Sequence, residues 1–510
     1  MTNISDAAEI DTAVIDTEVI VIGAGPTGLV MATELEAAGA STVVVDRVEM
    51  GSKAPRAGAV QPRTSEVFQM RGLLEPMRAG RPTWDVGWGH FAGLRIDYSV
   101  LGERGPLMHL AQNDIEDFLE RRLGELGVPV LRGHELAGIE QDERGVTATI
   151  AGPGGETSAV TGRYLVAADG GHSTARKLLG VGFPGREGTE TGIVADIRVR
   201  NATAQALVDP TTRLGVPTVG PDGSWAMVFA LNGDWRRLFS CVAGAPGRAV
   251  PVTEAEVVDA LHTVFGPEVE LVETKNLARV DDAARQVPDY RAGRVFFAGD
   301  AAHIHLPFGG QGLNLGVQDA VNLAWKLIAT LRGHAPEGLL DTYHAERYPI
   351  AEMVLANARS QGLLANFGAL NNADVPQLRA LFDRLVRLPE VNRFITGMLS
   401  GVDIQYAIPG VAHPLVGKRF YPIELSPERG VLIDPTGAFA EVAGNWAAKV
   451  EHRSGDRAVL VRPDGYVVWA SDEPGDDTGL AEALTRWFGS DMATVTAESQ
   501  VTAGTVATSR

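Results

Sequence analysis

Sulfur chemistry is almost absent from this chain, in which Cys241 is the one cysteine among 510 residues. That excludes an intramolecular disulfide and a cysteine-cluster metal site. The neighbours Leu238, Phe239 and Val242 read Cys241 as a small buried hydrophobe. Positive charge is also in deficit: 45 Lys and Arg face 64 Asp and Glu, a formal charge of −19 at pH 7. Binding a phosphate backbone needs a basic surface, so no nucleic-acid partner is expected. Adhesion to anionic lipid is disfavoured for the same reason, and the acidic surface reads as a solubility device. No uncharged apolar run reaches the roughly 18 residues that a membrane span requires. Residues 1–17 hold Asp6, Glu9, Asp11 and Asp16 but neither Lys nor Arg. This is the reverse of a signal peptide's basic start, and it reads as a disordered leader on a cytoplasmic protein. What is present, 45% hydrophobic and 21% charged residues, is globular in kind. The length exceeds one ordinary core and predicts two or three domains.

The first local signal is Glu18-Val-Ile-Val-Ile22, an apolar β-branched run that predicts a buried parallel strand. It enters Gly23-Ala-Gly25-Pro-Thr-Gly28 and then a helix over Leu29 to Ala38, stopped by Gly39. A second strand, Thr42 to Val45, delivers Asp46. The GxGxxG pattern thus stands after a strand, opens a helix and is followed by an acid, the context in which it binds a dinucleotide. Gly23 would make the turn, Gly25 would let the backbone approach a pyrophosphate, and Gly28 would let the helix pack on the strand. The helix start would hold the phosphates, and Asp46 would accept a ribose hydroxyl. FAD and NAD(P) both satisfy this unit.

Two more segments share the strand-then-turn form. Tyr164-Leu-Val-Ala-Ala-Asp169-Gly-Gly-His-Ser173-Thr-Ala-Arg176 brings Asp169 and backbone to a turn. Ser173 is not a nucleophile elbow, because Ala175 replaces the second glycine of GxSxG. Arg294-Val-Phe-Phe-Ala-Gly299-Asp300 delivers Asp300 at a strand's carboxyl end, followed by the loop Pro307-Phe-Gly309-Gly310-Gln-Gly312-Leu313-Asn314 and a helix. Glycines 309, 310 and 312 would leave backbone N–H groups open at that helix start, a place that stabilises negative charge such as the N1/O2 edge of a reduced flavin. No carboxylate stands at ligand spacing from His303 and His305, so no metal is expected.

Together these three segments resemble the signatures of class A FAD-dependent aromatic hydroxylases, with a para-hydroxybenzoate hydroxylase-like fold. The chain is most similar to bacterial aromatic polyketide hydroxylases and rifampicin monooxygenase-type enzymes. The likeness runs from about residue 18 to the end, through Leu340-Asp-Thr-Tyr-His-Ala-Glu-Arg-Tyr-Pro349 and Val459-Leu-Val-Arg-Pro-Asp-Gly-Tyr-Val467. The resemblance implies that Asp46 binds the adenosine ribose with Arg47 near the adenine. It implies that Arg56 lies near the flavin, that Gln112 touches the FAD chain, and that Asp169 serves both FAD and passing NADPH. Asp300 would bind the ribityl-pyrophosphate region. Pro307, Gly310, Gly312, Leu313 and Asn314 would lie beside the flavin ring, where the C4a-hydroperoxide forms. Ala111 replaces the family's usual Pro, and Ala167-Ala168 replace its frequent Gly-Cys. Neither change removes a contacting side chain. No second strand–GxGxxG–helix unit exists, in keeping with a family in which NADPH visits the flavin transiently.

The implied architecture is α/β. A discontinuous Rossmann-like FAD-binding domain covers 18–80, 106–182 and 276–399. An inserted substrate sheet covers 81–105 and 183–275. A thioredoxin-like domain covers 400–510, lacks cysteine and so is incapable of dithiol chemistry. In the insert, Trp225, Met227, Phe229 and Leu231 alternate with smaller residues, giving one large-residue strand face. With Trp84, Trp88 and Trp235 they suit a wide apolar pocket for a planar polycycle, although each tryptophan alone reads better as core. The reaction implied is hydroxylation of such a substrate with NADPH and O2, in a monomer or homodimer. Alternatives within the same chemistry are an antibiotic-inactivating rifampicin-type enzyme, favoured by the short Gly430–Asp456 stretch, a simple phenol hydroxylase, or Baeyer–Villiger oxygenation. A flavin halogenase lacks its WxWxIP-like segment here. A flavoprotein that binds a polycycle without turnover is the reading from another class, and the intact Pro307–Asn314 loop speaks against it.

Overall fold

The computed structural model describes residues 15–49, 58–81, 83–200, 218–219, 224–231, 233–241, 245–365 and 375–490. At its centre is a six-stranded sheet in the order Arg291–Ala292, Val295–Phe297, Tyr164–Ala167, Val19–Ile22, Thr42–Asp46 and Val130–Arg132. All pairings are parallel except the Arg291–Ala292 edge. Val19–Ile22 and Tyr164–Ala167 are buried throughout, as expected of strands covered on both faces. Pro26 stands at the start of the Pro26–Ala37 helix, where its missing N–H costs nothing. That helix packs against the Gly312–Leu331 helix. The latter is buried nearly all round, including Asp319, Asn322 and Lys326, so it is a central helix and not the one-sided helix that the spacing of its apolar residues implies.

Two boundaries differ from the sequence reading. Ile15 and Asp16, placed in the leader, form a short strand parallel to Val160 and Thr161, and Ile15 packs on the core. The open edge of the Thr157–Gly162 strand supplies backbone partners that a local charge pattern does not reveal. The rest of that leader, 1–14, lies outside the described residues. Helix Pro389–Ser400, assigned to the cofactor domain, packs on Leu94–Asp97 and Tyr98–Leu101 of the insert. Its Asn392 brackets Asp97, accepting from the backbone N–H at 3.0 Å and donating to the carbonyl at 2.7 Å.

The inserted sheet is antiparallel, in the order Thr218–Val219, Trp225–Ala230, Arg236–Cys241, Thr191–Arg200 and Glu270–Asp281. One face carries Ala226, Val228 and Leu238 and packs against the Glu254–Phe265 helix, whose start is closed by a Thr253–Glu256 capping box. The other face carries Trp225, Met227, Phe229 and Phe239 and looks toward Phe308.

The C-terminal sheet runs Val450–Ser454, Gly430–Asp434, Ala458–Val461, Val467–Ser471, with only the first pair parallel. Its turn Arg462–Tyr466 inserts charge into the joint with the central helix. Arg462 is fully buried and binds both Glu346 oxygens, at 2.6 and 2.9 Å. Lys326 and Asn322 also donate to Glu346, at 3.0 and 2.7 Å. Burial pushes the Glu346 carboxyl up, but Arg462 and Lys326 more than reverse this and hold it at about 2. Removing one partner of such a buried cluster leaves charge uncompensated. Glu346→Gln is therefore expected to cost about 3–5 kcal/mol in equilibrium unfolding at pH 7. Because the native pKa is depressed, Glu346 contributes fully above the unfolded value of about 4.3 and progressively less as pH falls toward 2. The variant's deficit should shrink over that window; a deficit constant from pH 7 to 2 would show that the carboxylate charge is not what matters.

Candidate cofactor and substrate site

The three glycines of the first turn divide as their spacing predicts. Gly23 has φ +107°, and a Cβ there would stand 2.2 Å from the Ala168 carbonyl oxygen. A Cβ on Gly28 would stand 1.8 Å from the Gly23 oxygen. Both sites are closed by the protein itself. Gly25 has ordinary backbone angles, and a Cβ there would meet no protein atom within 4 Å. Its missing side chain leaves space at a helix start that no side chain caps, a place suited to an anion. Asp46 closes this turn, accepting from the Ala24 N–H at 2.6 Å and the Val48 N–H at 2.7 Å. Arg132, which the sequence reading did not single out, lies 3.6 Å from Asp46, is held by Glu120 and reaches the Ala24 carbonyl at 3.4 Å. It ends the Val130–Arg132 strand in a Leu-Arg-Gly-His context that carries no recognisable motif.

Asp169 stands at the end of the neighbouring strand. One oxygen accepts from the Thr174 and Ala175 N–H groups, at 2.7 and 3.1 Å. The other, Oδ1, is buried without a hydrogen-bond partner among the described residues, a state that costs about 1–3 kcal/mol unless a ligand donates to it. Ser173 is fully buried and caps the following helix through Arg176 N–H, 3.0 Å, which accounts for its presence. Asp300 lies exposed in the Gly299–Ala301 turn. His303 and His305 each have a protein partner. His303 is spent on Asp319, 2.7 Å from its Nε2. His305 donates from Nδ1 to the Leu306 carbonyl, 2.8 Å, and burial holds its pKa below the ordinary value.

The Pro307–Asn314 loop is braced from behind. Gln61 accepts the Tyr98 hydroxyl at 3.0 Å and donates its side-chain amide to Gly309 O at 2.9 Å. Asn314 accepts the Gln61 N–H at 2.8 Å and donates to Ala59 O and Gly310 O at 3.0 and 2.7 Å. Gln311 accepts from Asn357 at 2.6 Å. Two expectations change. The Gly310 N–H is not open, because it bonds Pro307 O at 3.2 Å within the turn. The Asn314 side chain is spent as a brace. Gly312 and Leu313 begin a helix that no side chain caps. Gln61 and Tyr98 were missed because their importance lies in contacts across tens of residues.

Of the remaining cofactor-side expectations, Arg47 is exposed and Gln112 donates to Glu116 at 2.8 Å. Arg56 lies outside the described residues. On the substrate side, Trp225 and Met227 are buried and Phe229 half-buried, all on the face toward the loop. Phe308 of the loop meets Trp225 and Phe239 edge-on, centroids 5.5 and 5.8 Å away. Trp235 departs from the pocket reading: it is sandwiched by Arg198 and Lys275, 4.8 and 3.8 Å from its ring. Trp88 carries Arg95 over its ring at 5.1 Å. The Trp84 side chain lies outside the described residues.

Comparison with known proteins agrees with this geometry. Residues 16–358 match the FAD binding domain family, and residues 413–491 match the C-terminal domain of aromatic-ring hydroxylases. A 12-dehydrotetracycline 5-monooxygenase/anhydrotetracycline 6-monooxygenase of Streptomyces rimosus subsp. rimosus is 40% identical, over 92% of this chain and 99% of its own. A rifampicin monooxygenase of Streptomyces venezuelae is 37% identical, over 93% and 99%. The solved structure of an anhydrotetracycline hydroxylase from Streptomyces rimosus superposes with a TM-score of 0.82 at 38% identity, covering 94% of this chain and all of that one. No described helix is long and apolar enough to cross a membrane.

The glycine geometry separates binding from folding. Gly25→Ala should leave apoprotein stability within about 0.5 kcal/mol and weaken FAD binding about tenfold or more. Gly28→Ala should destabilise the apoprotein itself by about 1–3 kcal/mol through overpacking. Apoprotein unfolding beside a flavin titration reads both, and equal behaviour of the two variants would contradict the division.

Proposed function

The chain belongs to the FAD-dependent aromatic-ring hydroxylases, and from that premise we propose that it hydroxylates a polycyclic, polyketide-type aromatic substrate with NADPH and O2. The residues suit the cofactor. Gly25 leaves room at a helix start for a pyrophosphate, Asp46 stands beside it for a ribose, and Asp169 keeps one buried oxygen without a donor. Asp300, Gly312 and Leu313 lie where the flavin end would run, and Pro307 and Gly310 shape the loop beside it. Bound FAD supplies hydride acceptance and dioxygen activation. The chain's own contribution is to hold the loop rigid through Gln61 and Asn314, to orient the substrate, and to exclude water from the reaction.

The observation that carries the substrate class is the meeting of that loop with a broad aromatic face, Phe308 against Trp225 and Phe239, continued by Met227 and Phe229. Such a surface matches a flat fused-ring ligand better than a single phenol. The tetracycline-type names of the similar monooxygenases point the same way. In this reading, residues 18–80, 106–182 and 276–399 bind FAD, and 81–105 with 183–275 form most of the substrate side. Residues 400–510 are thioredoxin-like, without cysteine, and structural.

Aerobic NADPH consumption by the FAD-loaded protein, measured across naphthacene, angucycline, rifamycin and simple phenol substrates with product mass spectrometry, tests this. A polycycle should accelerate consumption and gain one oxygen. Preferential turnover of a rifamycin would move the assignment to antibiotic inactivation, and a ring-expanded lactone would move it to Baeyer–Villiger chemistry. NADPH use that no substrate accelerates would defeat the hydroxylase reading.

A further inference from the structure

His90 belongs to no motif, yet the fold sets it where loop and substrate face converge. It lies in the Trp88–Phe91 strand, which runs alongside the Phe308–Gly310 turn. Its ring centroid is 6.1 Å from that of Phe229, on the loop-facing side of the inserted sheet. Behind it the chain makes the tight turn at Ala92 and Gly93, both with positive φ. The Gly93 N–H donates to His90 Nδ1 at 3.3 Å. A ring nitrogen that accepts carries no proton, so the neutral imidazole holds its proton on Nε2. That atom has no hydrogen-bond partner among the described residues and lies on the edge turned away from the Gly93 contact.

The charged surroundings are cationic. Arg379, from the Val375–Leu385 helix, binds Ala92 O at 2.7 Å, and Arg95 stands opposite His90 on the paired strand. Burial first, then Arg379, lowers the His90 pKa to about 4, which keeps the ring neutral across the physiological range. Neutral with its proton on Nε2, the ring cannot take a proton from a phenol through that atom. It can donate.

Resting on the hydroxylase reading, we propose that His90 is a substrate-recognition residue whose Nε2–H donates a hydrogen bond to an oxygen, a ring carbonyl or a phenolate, on a polycycle seated against Phe229. The neighbouring guanidinium of Arg379 adds a field that favours electron-rich or ionised oxygen at this place. Anchoring one oxygen fixes the rotation of a flat ligand in the pocket and thereby decides which ring carbon faces the Pro307–Gly310 loop.

The test uses FAD-loaded wild type, His90→Leu and His90→Gln, each checked for equal flavin content. The probe is a naphthacene-type polyketide that perturbs the wild-type flavin spectrum on binding. His90→Leu should weaken its Kd, and KM where turnover occurs, by roughly 10- to 100-fold, the worth of one hydrogen bond to a charged or polarised acceptor. It should also release more of the reducing equivalents as peroxide or scatter the position of oxygenation. His90→Gln, whose amide N–H2 reaches about as far as Nε2, should recover most of the affinity. The ratio of Kd between His90→Leu and wild type should stay constant from pH 6 to 8. Equal Kd for His90→Leu and wild type overturns the proposal whether or not the ligand is turned over. A pH-dependent limb of kcat in that range, present in wild type and lost in His90→Leu, also overturns it in favour of a base. Binding that depends on His90 without any oxygenation would instead defeat the hydroxylase reading and leave the His90 contact standing.

Discussion

The carboxylate of Asp319 is the interaction on which the cofactor side of this molecule hangs. It is fully buried in the central helix, and it accepts from Gly299 N–H at 3.1 Å, His303 Nε2 at 2.7 Å and Arg347 Nε at 2.7 Å. Burial alone would push its pKa up; Arg347 and His303 together bring it below the ordinary value, so it stays ionised. The consequence is geometric. Gly299 opens the turn that carries Asp300, and His303 ends it, so one anion fixes both sides of a loop whose own carboxylate faces outward. A surface ion pair could not do this, because solvent would compete for each partner.

Arg347 carries the constraint further, to the Tyr406 hydroxyl at 3.1 Å and the Leu315 carbonyl at 3.2 Å. Glu346, the preceding residue of the same helix, belongs to the other buried network, with Arg462, Lys326 and Asn322. Two consecutive residues of one helix therefore serve two joints, one with the Asp300 turn and one with the C-terminal unit. This explains a burial pattern that is otherwise costly: the central helix accepts Asp319, Asn322 and Lys326 in its interior because each meets a fixed partner there. It also gives the cysteine-free C-terminal unit a physical role, that of completing the environment of the helix that begins beside the cofactor loop.

What could be read from the sequence follows the range of the interactions. The strand, the glycine turn and Asp46 span fewer than thirty residues, and the constraints on Gly23 and Gly28 follow from local stereochemistry, so this geometry was legible. Asp169 and Asp300 stand out in the sequence because they follow parallel strands, where such folds place ligand contacts. The alternation of Trp225, Met227 and Phe229 marked one face of a strand correctly but could not say which tryptophans share it. Trp235 turned out to meet two cations, Arg198 and Lys275. Ile15 and Asp16 pair with Val160 and Thr161, and Gln61 with Asn314, 253 residues away. Nothing near these residues in the chain announces such partners. The open N–H of Gly310 was misread because a turn can consume its own donors, and only the backbone path shows which one.

The aromatic contacts between loop and sheet bear on how the pocket can be both adaptable and dry. Trp225, Phe239 and Phe308 meet pairwise at 5.5 to 5.8 Å with their planes 76° to 82° apart. In this edge-to-face arrangement each ring presents its positive rim to another's face. The trio joins Phe308 of the Pro307–Asn314 loop to the inserted sheet through ring contacts. Directional polar recognition would then fall to a neighbouring element, and the Trp88–Phe91 strand runs alongside the same turn. A wholly apolar pocket would hold a fused-ring ligand in several rotations of similar energy, since dispersion and area burial are nearly indifferent to direction. Selecting one carbon for oxygenation would require a directional contact as well. The proposed His90 contact would depend on a hairpin from residues 84–101 lying beside a sheet whose first strand begins at Thr191, so its parts are scattered in the sequence.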